Sequence, residues 1–132
     1  MAKQGLTAPA DFHPAIKGID LGRAIFKEQQ MANQHLPTDA AERKEIPMAT
    51  GVLDYFPLAL AEIARLSKAG NEQHHPGEPL HWDRSKSTDH ADCVMRHLAD
   101  RGKLDTDNQR HSAKVAWRSL ALLQEELENE KA

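Results

Sequence analysis

Apolar residues recur at helical spacing along three long stretches of the chain, and nowhere do they alternate with polar ones at a period of two. From Asp54 to Ala69, stepping by about 100° per residue, Phe56, Ala59, Leu60, Ile63, Ala64 and Ser67 share one helical face. Glu62 falls at the edge of that face, beside Tyr55 and Leu66. Pro57 sits in the first turn, where its missing N–H does no harm, and Gly70–Asn71 suits a left-handed C-terminal cap. A second helix, capped by Ser87 or Thr88 and ending near Arg101–Gly102, is expected to turn Ala91, Val94, Met95 and Leu98 inward. Its opposite side carries Asp89, Asp92, Cys93 and Arg96. A third helix begins near Thr106 or Asp107 and continues to the charged C-terminus, with Ala113, Ala116, Trp117, Leu120, Leu123 and Leu127 as its core stripe.

Upstream the signal is weaker. The spacing predicts a helix over Ile19–Asn33 with Leu21, Ile25 and Phe26 inward, after which Pro37 breaks the chain and 37–50 forms a connector. Residues 1–18 mix Gly, Pro, Ala and isolated charges without a period and read as an extended arm. The pattern as a whole predicts an all-α fold, an antiparallel helical bundle forming one domain over 19–132 behind that arm.

Composition sharpens this reading in four respects. A hydrophobic fraction of 39% with aromatics at 5% gives a thin core for a lone chain, so a homo-oligomer is expected. The formal net charge of −3, with acids and bases interspersed, provides no field for a polymeric nucleic acid. The single cysteine, Cys93, excludes an internal disulfide or a multi-thiolate metal site and fits a reducing compartment, the cytoplasm. No apolar run has spanning length, and the opening residues lack a signal-peptide core, so no membrane partner is expected.

Several groups of residues are suited to chemistry. Asp89 and Asp92 form a D-x-x-D pair whose carboxylates project from one side of a helix and can share a hard cation such as Mg²⁺. Glu62 is the best third ligand. The same pair also reads as a solvated surface with Asp92 and Arg96 in an ordinary i,i+4 ion pair. His111, Lys114 and Arg118 follow at i, i+3 and i+7, a stripe of donors for phosphate oxygens or, equally in pattern, a solvated face. The loop NEQHHPGEPLHWDRSK crowds His74, His75, His81, Trp82, Asp83 and Arg84 between two prolines and a glycine, a density typical of binding loops. Its histidines suggest zinc, although the spacing matches no standard finger. Trp82 either stacks on a purine or pins the loop to the bundle.

Two long stretches, GVLDYFPLALAEIARLSKAGNEQHHPGEPLHWDRSKSTDHADCVMRHLAD and DTDNQRHSAKVAWRSLALLQEELE, resemble a phage family of MazG-like nucleotide diphosphohydrolases acting on dATP and dGTP. The resemblance runs from Ile46 to Glu128, about two-thirds of the chain. It implies hydrolysis of a purine deoxynucleoside triphosphate to monophosphate and pyrophosphate in the infected host's cytoplasm, within phage purine and 2-aminoadenine metabolism. It also implies Mg²⁺ or Mn²⁺ as cofactor and assembly as a dimer or tetramer. The wider superfamily holds its ions with an E-x-x-E pair on one helix and an E-x-x-D pair on the next. Asp89 and Asp92 match the second pair with Asp for Glu at its first position, whereas only Glu62 matches the first, since Ala59 and Arg65 stand three residues to either side. By this resemblance Glu62, Asp89 and Asp92 are catalytic metal ligands, Lys68, Arg84, Arg96, Lys114 and Arg118 counter phosphate charge, and Asn71 and Trp82 contact the base. Two rival readings are a non-enzymatic helical interaction protein and a zinc-dependent hydrolase built on the histidine loop.

Overall fold

The computed structural model describes residues 35–131. The expected arm over 1–18 and the helix over Ile19–Asn33, with Leu21, Ile25 and Phe26, lie outside the described residues. The chain divides into two units between Arg43 and Lys44.

Within 37–50, read as a connector, lies a short helix, α1 (Ala40–Lys44). Asp39 starts it: its carboxylate accepts the Glu42 N–H at 3.0 Å, and its carbonyl accepts the Arg43 N–H at 3.0 Å. This is side-chain capping of a helix N-terminus, which satisfies a donor that lacks an intrahelical partner.

The second unit is built of helices, and among its described residues the β structure amounts to one isolated bridge, Leu104 to Arg110. A single π-helical turn over Ala49–Leu53 closes with the Asp54 N–H on the Ala49 carbonyl at 2.8 Å. Helix α2 (Pro57–His74) follows, with Pro57 in its first turn as expected. It does not stop at Gly70–Asn71. Those residues stay helical, and the end comes at His75, which takes φ −137° and ψ 58°. The residue before a proline is pushed out of the α region, so Pro76, not Gly70, sets the stop.

A 3₁₀ turn over Arg84–Lys86 is capped by the Asp83 carboxylate, which accepts the Ser85 N–H at 3.1 Å and the Ser85 hydroxyl at 2.5 Å. Helix α3 (His90–Ala99) has Asp89, rather than Ser87 or Thr88, at its N-cap position. Helix α4 (His111–Lys131) begins later than predicted because residues 103–110 form a clasped loop. There the Asp105 N–H reaches the Gln109 carbonyl at 2.7 Å, the His111 N–H reaches the Lys103 carbonyl at 3.1 Å, and Asn108 takes φ +62°. Asparagine tolerates that left-handed conformation better than most residues.

Helix α4 is the hub, packing along α3 and across α2. The buried faces depart from the predicted ones. On α3 the residues turned inward are His90 and Cys93, at 3% and 6% exposure, while the expected Met95 and Leu98 are exposed. On α4 Ala113 and Ala121 are buried, but Leu120, Leu123 and Leu127 are exposed. On α2 Leu60 and Ile63 are partly covered, whereas Phe56, Ala59 and Ala64 are exposed. The expected faces therefore meet only in part: Ser67, Ala113 and Trp117 pack within the chain, while the aliphatic residues beside them stay exposed. Among the described residues no single helix is long and apolar enough to cross a membrane.

Candidate functional site

The helix hub is organised around polar and aromatic side chains. His90 lies at the start of α3, its Nδ1 accepting from Arg118 Nη1 at 3.2 Å and its Nε2 facing Glu125 Oε1 at 3.4 Å. With Nδ1 as acceptor, the proton belongs on Nε2. Trp82 and Trp117 meet edge to face at 5.6 Å, with the His90 ring 6.5 Å from each. The Trp117 indole N–H donates to Ser67 Oγ at 2.7 Å, tying α4 to α2. Trp82 therefore packs in this cluster, as its loop-pinning reading expects.

Arg84 stacks on the Trp82 ring, 3.9 Å from its centroid, and donates through both terminal nitrogens to Glu128 at 2.5 and 2.9 Å. This bidentate pair is the strong form of a charge-assisted bond. Burial would push the Glu128 carboxyl up, but the bonds from Arg84 and Gln124 outweigh it and hold the carboxyl below its ordinary range. Sequence reasoning missed His90, Glu125 and Glu128. A signal existed: His90, Cys93 and His97 recur at i, i+3 and i+7 on the face of α3 away from its aliphatic residues.

The expected metal ligands stand apart. Among the described residues Glu62, Asp89 and Asp92 do not form a group of converging ligand atoms. Glu62 accepts from Arg65 Nη1 at 3.1 Å. Asp89 accepts from Ser87 Oγ at 2.8 Å, Arg96 Nη2 at 3.0 Å and Cys93 Sγ at 3.4 Å. Those three hydrogen bonds, Ser87 first, hold its carboxyl far below the usual range, and the Asp89 bond in turn raises Arg96. Asp92 is exposed in the first turn of α3, on the surface that also carries Asp89 and Arg96.

The expected phosphate donors are distributed rather than gathered. Lys68 is exposed and 3.8 Å from Glu72. Lys114 is held 2.7 Å from both Asp105 and Asp107. Burial alone would lower the Lys114 ammonium, yet the two carboxylates raise it. His111 Nδ1 lies 2.9 Å from His97 Nδ1 and 4.0 Å from Asp105. Burial, then the Lys114 and His111 charges, pushes the His97 imidazole below its ordinary value. Asn71 spans the loop after α2, donating to the Glu78 carbonyl at 3.0 Å and accepting weakly from the His81 N–H at 3.4 Å.

Two groups of ligand atoms do converge among the described residues. One is His97, Asp105 and His111; the other is His75, Glu78 and His81 in the loop after α2. His74, the exposed last residue of α2, belongs to neither. Comparison of the chain with protein-family models, with curated proteins and with solved structures gives no match.

Proposed function

We propose that the chain is a metal-dependent diphosphohydrolase of purine deoxynucleoside triphosphates, assembled as a MazG-like oligomeric helical bundle. The observation that carries the reading is the exposed first turn of α3, where Asp92 and the ionised Asp89 stand beside the Arg96 guanidinium. Two carboxylates offer the hard oxygen donors that Mg²⁺ or Mn²⁺ prefers, and a neighbouring guanidinium suits a phosphate oxygen. The donor chemistry therefore fits the expected ion at Asp89 and Asp92. Glu62, tied to Arg65, completes the set only by leaving that partner. A bound divalent ion would neutralise phosphate charge and acidify a water. The chain's own part is to hold the triphosphate: Arg96 lies next to the aspartates and donates to Asp89, and Arg84, Lys114 and Arg118 have acidic or imidazole partners of their own.

Exposed Leu58, Met95, Leu98, Leu120, Leu123 and Leu127 support assembly with further copies. The same exposed faces favour the second reading, a helical interaction protein without catalysis. Incubating the purified protein with each of the eight standard ribo- and deoxyribonucleoside triphosphates in Mg²⁺ or Mn²⁺ separates the two. Monophosphate and pyrophosphate from dGTP or dATP, with little from pyrimidines, is the expected result. No turnover of any nucleotide would leave the interaction protein.

A further inference from the structure

The loop between α2 and the 3₁₀ turn carries a second kind of chemistry. His75-Pro76-Gly77-Glu78 is a β-turn: the Glu78 N–H donates to the His75 carbonyl at 3.1 Å, and Gly77 takes φ +78°. Proline at the second position and glycine at the third are the residues a type II turn asks for. The turn brings its two ends together, with His75 Nδ1 3.6 Å from Glu78 Oε2. His81 comes back over the turn, its ring 4.6 Å from that of His75. One ligand atom from each of His75, Glu78 and His81 lies within 4.8 Å of the others.

What separates this group from a chance cluster is the second contact of each imidazole. His75 Nε2 is buried with no hydrogen-bond partner, and Asp83 Oδ2 lies 3.4 Å from it, within ion-pair range but off alignment. His81 Nδ1 faces the Pro79 carbonyl at 3.0 Å. Metal-ligating histidines typically present one nitrogen to the ion and give the other N–H to a carboxylate or backbone carbonyl, which fixes the ring. His81 shows the carbonyl form of this arrangement, and His75 has the Asp83 carboxylate beside its buried Nε2 without a hydrogen bond to it. The Asn71 side chain anchors the turn from α2 through the Glu78 carbonyl.

The geometry points to His75, Glu78 and His81 as a site for one divalent transition-metal ion of the zinc type, distinct from the Mg²⁺ or Mn²⁺ site proposed on α3 and independent of it. Two imidazoles and a carboxylate favour Zn²⁺, Ni²⁺ or Co²⁺ over Mg²⁺. Three protein ligands leave the fourth tetrahedral position to water. The ion would clasp the segment that leads into Trp82 and Arg84. The other converging group, His97, Asp105 and His111, is a poorer site: the Lys114 ammonium already sits 2.7 Å from Asp105 Oδ2, and the 2.9 Å separation of the two Nδ1 atoms fits an N–H···N hydrogen bond.

The test is titration of the metal-free full chain with Co²⁺, followed in the visible spectrum, and with Zn²⁺ in competition. One equivalent of each is expected to bind, the Co²⁺ giving the intense bands of a tetrahedral site. His75→Ala and His81→Ala should each weaken Zn²⁺ binding more than about 100-fold, and Asp83→Asn about 10- to 100-fold, as loss of an outer partner does. His74→Ala and His97→Ala should leave binding unchanged. Circular dichroism of the metal-free variants checks folding, and Glu78→Gln, on the exposed side of the turn, serves if a histidine variant does not fold. Absence of a one-to-one Zn²⁺ complex would overturn the assignment, as would binding that survives His75→Ala and His81→Ala but is lost in His97→Ala.

Discussion

Arg84 and Glu128, 44 residues apart in sequence, form a two-pronged ion pair that fastens the loop after α2 to the last turns of α4. Their side chains are 21% and 10% exposed, so removing either partner leaves a largely desolvated charge behind. Glu128→Ala is expected to destabilise the protein by about 2–3 kcal/mol in urea unfolding, below the range for a fully buried pair. The double variant Arg84→Met, Glu128→Leu should recover most of that loss. A single-variant effect under about 0.5 kcal/mol would show that the pair is a surface contact.

Acid should unfold the protein in two stages. Asp83, Asp89, Asp105, Asp107 and Glu128 all have folded-state pKa values below their unfolded ones. Their contribution is complete above the unfolded carboxylate value near 4 and is lost as the pH falls through the folded values. His97 is also depressed, so the unfolded chain takes up a proton below about 6.5 that the folded chain refuses. Stability is therefore expected to decline gently from pH 6.5 and steeply below pH 4, with His97→Gln removing the first stage only. Urea midpoints at pH 7, 5.5 and 3.5 measure it, and a midpoint that rises between 7 and 5.5 would contradict the sign for His97.

The two aspartates of α3 should behave differently. Asp92 is exposed and its carboxylate acts on Arg96 only through charge, so Asp92→Ala should change stability by less than about 0.5 kcal/mol. If the proposed activity is present, turnover should fall by about 10²- to 10³-fold, the usual scale for losing one electrostatic contact to the reacting group. Asp89→Ala removes the acceptor for Ser87, Cys93 and Arg96 and should lower the melting temperature as well. Equal activity of wild type and Asp92→Ala would remove that residue from the site.

Ser67→Ala strands the indole N–H of Trp117 in a partly buried position. An unsatisfied donor there costs about 1–3 kcal/mol, with a changed near-ultraviolet circular dichroism signal from the two packed tryptophans. A variant as stable as the parent would mean that water replaces the hydroxyl.

Oligomer mass provides a further check. Met95 and Leu98 on α3 and Leu120 and Leu123 on α4 are exposed in the single chain. Light scattering should return a multiple of the chain mass, and Met95→Glu with Leu123→Glu should return the chain mass itself. A monomeric parent protein would end the oligomer reading.

The helices were legible because Pro57–His74, His90–Ala99 and His111–Lys131 each carry apolar residues at helical spacing. Their ends were less so. Pro76 acts on His75 through sterics that a search for glycine caps overlooks, and the clasp over residues 103–110 depends on backbone bonds with no composition signal. On α3, and along the leucines of α4, the inward face differs from the expected one for a different reason. Hydrophobic periodicity identifies the surface that leaves water without saying which molecule covers it, so Met95 and Leu98 were assigned to a core that His90 and Cys93 occupy. For the site, residue types on one helix face could be listed from sequence, but Arg84 meeting Glu128, and Lys114 meeting Asp105 and Asp107, are tertiary facts.

Because α2 and α3 each lean on α4, the chain has a natural order of assembly. Helices α3 and α4 are neighbours joined by one clasped loop, whereas Ser67 must find Trp117 across 50 residues of chain. Short-range pairings form before long-range ones, since loop closure costs more entropy as the separation grows. The α3–α4 hairpin is thus expected to be the folding nucleus, with α2 docking late. Ser67→Ala would then hasten unfolding while leaving the refolding rate nearly untouched, which stopped-flow tryptophan fluorescence can measure.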